Sequence, residues 1–152
     1  MGLYSMGIVR ILGIESSCDE TAVAVLDVRN PERSEGSLIV DVISSFVSSQ
    51  IPNHQKYGGV VPEVAARSHV PETVSLITQT LEKTSLETVD AIAVTRGPGL
   101  ATALRVAVEA ARTLAGFSGK PLIGVNHLEG HIASAWLNAD NRRDWQFPLL
   151  VL

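Results

Sequence analysis

Val9-Arg10-Ile11-Leu12-Gly13-Ile14-Glu15 is a short apolar run that enters a polar turn, Ser16-Ser17-Cys18-Asp19-Glu20-Thr21. Ala22-Val23-Ala24-Val25-Leu26 resumes the apolar pattern so soon afterwards that the two runs predict an antiparallel hairpin. Beyond a charged, turn-rich loop at 30–36, Leu38 to Val47 carries Ile39, Val40, Val42, Ile43 and Phe46 and predicts a third strand. Three consecutive strands therefore open the chain. The pattern then changes. Ile51 to Gly59, with a proline and a Gly-Gly pair, reads as a loop. Pro62 and Glu63 suit the first turn of a helix, because proline fits N1 and an acid fits the positive end of the dipole. Val64, Ser68, Pro71, Val74, Ile77 and Leu81 keep helical spacing, and Pro71 predicts a kink or a break. Ala91 to Thr95 predicts a buried strand and Arg96-Gly97-Pro98-Gly99 a turn. A helix follows with Leu100, Leu104, Val108, Ala111 and Ala115 on one face, ending at Gly116. Leu122-Ile123-Gly124-Val125 is another strand, and Asn126 caps a helix through about Leu137. Strands that come to alternate with helices give the α/β class with a mixed sheet.

The composition bounds what such a fold can do. At 152 residues the chain suits one domain, and 45% hydrophobic with 18% charged residues excludes a disordered tail. Twelve Lys plus Arg against sixteen Asp plus Glu give a net charge of −4. No global basic field exists, so any nucleic-acid contact must be local or shared with another subunit. The single cysteine, Cys18, excludes an internal disulfide framework and a Cys-only zinc site, and fits a reducing compartment. No apolar run reaches about 18 residues, so no membrane span is expected. Met1 to Ile8 has neither a signal-peptide nor a transit-peptide pattern and reads as a short N-terminal extension. Phe147-Pro148-Leu149-Leu150-Val151-Leu152 reads as the opening of a further apolar strand, so the sequence is expected to be a piece of a longer protein.

His127-Leu128-Glu129-Gly130-His131 is the sharpest local signal. Histidines at i and i+4 of a helix lie one above the other, within reach of one metal ion. The zincin pattern H-E-x-x-H is not met, since Glu129 stands two places after His127. The alternative is a helix N-terminus with solvated or capping histidines. At the first turn, Glu15-Ser16-Ser17-Cys18-Asp19-Glu20-Thr21, hydroxyls, turn amides and adjacent carboxylates can face phosphate, a metal or an incoming amine; a hairpin whose Asp and Ser satisfy the turn backbone is the other reading. Arg96-Gly97-Pro98-Gly99-Leu100 offers amides to an anion or is merely a tight turn. Tyr57-Gly58-Gly59, followed by Arg67 and His69, supplies aromatic and basic groups for nucleic acid, or else a glycine turn before a solvated helix. Cys18 reads as a small packed residue and not a nucleophile.

GIESSCDETAVAVLD (13–27), SSQIPNHQKYGGVVPEVAARSH (48–69), TRGPGL (95–100) and VNHLEGHIAS (125–134) together resemble the N-terminal half of the TsaD family, the tRNA adenosine threonylcarbamoyltransferases, also labelled glycoprotease-like. The similarity runs from about Val9 to Leu152 and is greatest to the bacterial and organellar branch. It implies the N-terminal lobe of the actin-like ATPase fold shared with sugar kinases and heat-shock chaperones. That lobe would occupy 9–147, with 148–152 opening the second lobe. It implies transfer of threonylcarbamoyl from threonylcarbamoyl-adenylate to the exocyclic amine of the adenosine beside the anticodon of tRNA. By matching motifs, His127 and His131 would be two ligands of an iron or zinc ion, a further aspartate ligand lying in the C-terminal lobe. Asp19 and Glu20 match the acidic pair near the reacting groups, with Glu20 the better catalytic candidate. The adenylate-binding Ser-Gly-Gly segment is expected just after Leu152. Partners would be tRNA and the subunits of a transfer complex or a second copy, in the cytoplasm or, alternatively, a mitochondrion. A fragment of this kind is expected to be inactive alone. A non-catalytic paralogue acting as a scaffold is the competing reading, and the histidine pair argues against it. A small-molecule kinase of the same fold and a metalloprotease are weaker alternatives.

Overall fold

Period-two alternation in the opening strands decides which face of the sheet is buried. In β1 (Val9–Glu15) and β2 (Glu20–Arg29), Leu12, Ile14, Val23 and Val25 point one way and are buried. The computed structural model describes residues 7–29, 39–135 and 137. Within it, β3 (Ile39–Ser49) pairs antiparallel with β2, and β2 pairs antiparallel with β1 as the expected hairpin. β4 (Ala91–Gly97) joins the other side of β1 in parallel, and β5 (Leu122–Asn126) extends β4 in parallel. The sheet is mixed, in the order β3-β2-β1-β4-β5. Leu12 stands opposite Val25 and Ile92, and Ile14 opposite Val23 and Val94. These cross-strand sets form one apolar layer, in which a fully buried Leu12 or Ile92 contributes about 1.5–3 kcal/mol.

Two helices cover that layer. α2 (Pro62–Lys83) packs on β2 and β3, α3 (Ala101–Ser118) on β4, and the two helices contact one another. Pro62 stands in the first turn with Glu63 beside it, as read from sequence. α3 meets the sheet through Ala103, Ala107, Ala111 and Ala115, small residues that allow a close approach. Only Ala111 and Ala115 of the expected face are among those buried side chains.

Several local expectations need correction. The segment after Gln50 is not all loop: Ile51–Gln55 forms a short helix, α1, with a proline in its first turn. α2 runs unbroken through Pro71, whose missing donor lies on the exposed side of the helix. Its buried stripe is Ala65, His69, Thr73, Leu76 and Thr80, one residue out of step with the spacing read from sequence, and Val74 is exposed. α3 ends at Gly119, not Gly116, because Gly119 takes the left-handed C-cap conformation at φ 68°. In β3 the pairing slips between Val25 and Leu26, so that Ile43 is an extra residue, and both Val42 and Ile43 are exposed. The N-terminal extension up to residue 6, the loop at 30–36 and the strand expected at 147–152 lie outside the described residues. No helix among the described residues is long and apolar enough to cross a membrane.

Arg10 and Asp27 stand opposite one another in the β1–β2 ladder. The guanidinium donates twice, Nε to Oδ1 at 2.6 Å and Nη2 to Oδ2 at 2.7 Å, and the Asp27 side chain is only 9% exposed. Those hydrogen bonds, with the charges of Arg10 and Arg29, hold the Asp27 carboxyl below the usual carboxylate range against the opposing effect of burial. A depressed folded-state pKa stabilises above the unfolded value and is lost as the pH falls through the folded one. Urea unfolding between about pH 7 and pH 3 should therefore show stability falling below about pH 4. Asp27→Asn should lower the neutral plateau and flatten that acid limb; an unchanged limb would remove Asp27 as its source.

Candidate active site

β1, β4 and β5 run parallel, so their carboxyl ends open onto one edge of the sheet, where α/β folds place their sites. Three connections meet there: the turn Ser16–Asp19, the loop Pro98–Leu100, and the start of α4 (His127–Ser134). The turn is fastened to α3. Ser16 Oγ donates to the Ala103 carbonyl at 2.8 Å and accepts from the Ala107 amide at 3.3 Å, and the Ser17 carbonyl accepts from the Leu100 amide at 2.8 Å. Gly99 makes this approach possible, since a Cβ there would stand 2.6 Å from the Ser17 carbonyl oxygen. The Leu100 amide is thus spent on the turn, which favours the tight-turn reading of Arg96 to Leu100 over an anion loop.

Asn126 caps α4, its side-chain oxygen accepting from the amides of Leu128 at 2.9 Å and Glu129 at 3.4 Å. The histidines are therefore free of the capping task. Their Nε2 atoms lie 3.0 Å apart and their rings meet edge to face at 79°. That separation is short enough for both nitrogens to reach one iron or zinc ion at about 2.1 Å, were their lone pairs to converge. Without a metal, the same contact is an N–H to N hydrogen bond. Among the described residues no group of three or more His, Cys, Asp or Glu side chains converges on a metal position.

The other nitrogen of His127 faces the first turn. Nδ1 is 3.2 Å from Ser17 Oγ and 3.5 Å from Glu15 Oε2. A ring nitrogen turned to a carboxylate is the outer-shell arrangement that orients a metal-binding imidazole. Burial works against the Glu15 carboxylate, but hydrogen bonds from Ser17 and Thr95 and the nearby His127 lower its pKa below the usual value. The sequence places Glu15 and Ser17 in the polar turn motif without a role of their own; the parallel pairing of Ile14 with Val94 sets Glu15 beside Thr95 at the strand ends.

Asp19 lies half-buried in the turn and Glu20 is exposed at the first position of β2. Glu15 pairs with Ala22, and Glu20 shares the face of Ala22 by period two. Glu15 and Glu20 thus lie on the face of the sheet away from α2 and α3. Cys18 is exposed, contrary to the packed reading; partial desolvation and neighbouring Asp19 push its thiol pKa up, away from nucleophilic character. Tyr57 and Arg67 are exposed, with Lys56 Nζ 4.9 Å from the Tyr57 ring centre. His69 is wholly buried and cannot touch nucleic acid, which corrects the sequence reading.

Comparison with known proteins agrees with this architecture. Solved structures with the same fold include YeaZ from Pseudomonas aeruginosa, 24% identical with a TM-score of 0.54 over 84% of this chain and 48% of that one. Thermus thermophilus RuvC matches 90% of this chain and 74% of its own, at 16% identity and a TM-score of 0.51. These likenesses establish the actin-like ATPase and RNase H-like fold and nothing about chemistry. In sequence, a tRNA N6-adenosine threonylcarbamoyltransferase of Koribacter versatilis (strain Ellin345) is 51% identical over 146 residues, 93% of this chain and 36% of the relative. That of Thermomicrobium roseum is 48% identical over 147 residues, 93% of this chain and 38% of its own length. The chain thus spans well under half the length of these relatives. The TsaD profile, described as tRNA N6-adenosine threonylcarbamoyltransferase, matches residues 41–152, and the chain belongs to the TsaD family.

Proposed function

We propose that the chain forms the N-terminal lobe of a tRNA threonylcarbamoyltransferase, with 9–147 as that lobe and 148–152 opening the next. The observation that carries this reading is the contact of Ser17 with His127, 110 residues apart in sequence. It supports the reading by setting the turn that leads into Asp19 and Glu20 beside the first histidine of the pair. The exocyclic amine of adenosine would attack the carbamoyl carbon of threonylcarbamoyl-adenylate, forming the new N–C bond as adenylate leaves. The donor is already an activated mixed anhydride, so no covalent enzyme intermediate is needed. Such an amine is a weak nucleophile, and positioning with removal of its proton matters more than strong basicity. Glu20, exposed on the same sheet face as Glu15, accepts that proton directly or through water, and Asp19 beside it completes the acidic pair that meets the substrate. An iron or zinc ion held by His127 and His131 would supply a positive contact for a substrate oxygen. Lys56, Tyr57 and Arg67 are the exposed groups suited to phosphate and base contacts with tRNA. Val70 and Val74, 54% and 63% exposed on α2, favour a second subunit, whether of a transfer complex or another copy. The reading places the protein in the cytoplasm.

The test is a chimaera in which this chain continues into the remaining length of the Koribacter versatilis relative. Given tRNA, threonylcarbamoyl-adenylate, metal and any subunits that the intact relative requires, it should form the modified nucleoside, whereas the 152-residue chain alone should not. A folded chimaera without product, beside an active intact relative, would sink the proposal. Product from the chain alone would show the active site to be complete within these residues.

A further inference from the structure

His69 is fully buried in α2, yet both of its ring nitrogens are engaged with polar atoms. Nε2 lies 3.1 Å from the carbonyl oxygen of Cys18, and Nδ1 lies 2.7 Å from Thr21 Oγ1 and 3.2 Å from Gln50 Nε2. A carbonyl oxygen only accepts, so Nε2 carries a hydrogen and donates it. Cys18 and Thr21 bracket Asp19 and Glu20, so a single rigid ring grips the chain on both sides of the acidic pair. Two further side chains complete the hold. The backbone amide of Gln50 donates to the Asp19 carbonyl at 2.8 Å. Glu72 Oε2 lies 2.7 Å from Thr21 Oγ1 and accepts from the Gln50 amide group at 3.2 Å; the single Thr21 hydroxyl hydrogen goes either to Glu72 or to Nδ1 of His69, while the second hydrogen of the Gln50 amide group faces Nδ1. A buried polar group costs free energy unless bonded, and an apolar side chain would fill the same volume without that cost. Here the polar atoms are directed at one four-residue segment.

We infer that His69 is a positioning residue for threonylcarbamoyl transfer, fixing through the Cys18 carbonyl and the Thr21 hydroxyl the orientation in which Asp19 and Glu20 meet the substrate. This rests on the reading of those two carboxylates given above. Strand geometry sets Glu20 on the site face, and the His69 grip sets the turn that precedes it. A misplacement of the order of 1 Å at such a group costs up to about 100-fold in rate.

Two measurements on His69→Leu, His69→Gln and Thr21→Val test the inference. In the chimaera, His69→Leu should lower kcat about 10- to 100-fold with KM for tRNA nearly unchanged. His69→Gln, whose amide can donate to the Cys18 carbonyl and accept from Thr21, should recover most of that loss. Thr21→Val, which keeps the shape and loses the hydroxyl between Nδ1 and Glu72 but leaves the bond to the Cys18 carbonyl, should fall between them. In the 152-residue chain, amide hydrogen exchange at Cys18 to Thr21 should accelerate in His69→Leu, be restored in His69→Gln, and rise modestly in Thr21→Val. The exchange readout does not depend on activity. An inactive wild-type chimaera would thus defeat the proposed function while the exchange still decides the positioning. Exchange at the turn that is unchanged in folded His69→Leu, or in Thr21→Val should the leucine variant not fold, would overturn the inference. So would a variant that melts earlier yet turns over at the wild-type kcat.

Discussion

Glu20→Ala is expected to lower threonylcarbamoyl transfer by the chimaera about 10²- to 10⁴-fold, the range for removing a general base, with the fold intact. Glu20 is exposed at the start of β2, and its side chain makes no hydrogen bond among the described residues. Its loss should therefore change stability by no more than about 0.5 kcal/mol. Glu20→Gln preserves the shape and one hydrogen-bonding oxygen but cannot take up a proton, so it should be nearly as slow. Asp19→Asn should cost less, because Asp19 is the second member of the acidic pair and not the assigned proton acceptor. The measurement is kcat and KM for tRNA at saturating adenylate, beside thermal melting of each variant. A Glu20→Ala enzyme with wild-type kcat would remove Glu20 from the mechanism. A fall in Asp19→Asn alone would move the proton acceptor to its neighbour.

The parts of this site that sequence made legible are the local ones. The apolar runs at Val9–Glu15 and Ala22–Leu26 were close enough to fix a hairpin, and Pro62 and Asn126 announced the starts of two helices. The histidine pair followed from helical spacing alone. Hydrophobic periodicity failed where burial is polar. The inner stripe of α2 includes His69, Thr73 and Thr80, so an apolar count selected the neighbouring face instead. It also failed at Ile43, where a bulge breaks the period of two, and at α1, which is too short to show any period. Glu15 and Ser17 stand in the polar turn motif, but their individual roles are not legible there for a different reason. Their role depends on β4 pairing with β1 across some 80 residues, as in Ile14 with Val94, and no local pattern encodes that pairing. The rule that parallel strands open their carboxyl ends onto a site would have pointed to Glu15 once β1, β4 and β5 were known to be parallel.

Removing either imidazole should abolish tight metal binding. His127 and His131 present Nε2 atoms 3.0 Å apart, and a single remaining ring would offer the proposed ion one bond in place of two. In the chimaera, titrated with zinc against a chelating indicator, His127→Ala and His131→Ala should each lose more than the roughly 10–100-fold that follows loss of an outer-shell partner. Glu15→Gln supplies that smaller effect for comparison. It keeps an oxygen near Nδ1 of His127 but loses the charge that favours the bound ring orientation. The order His127→Ala and His131→Ala below Glu15→Gln below wild type is what separates ligands from a supporting residue. The 152-residue chain itself should bind zinc weakly, because among its described residues no group of three or more His, Cys, Asp or Glu side chains converges and further ligands are needed for a closed site. Equal affinity of His131→Ala and wild type would show that the edge-to-face contact is a hydrogen-bonded pair at a helix start, and would leave the metal without a place on α4.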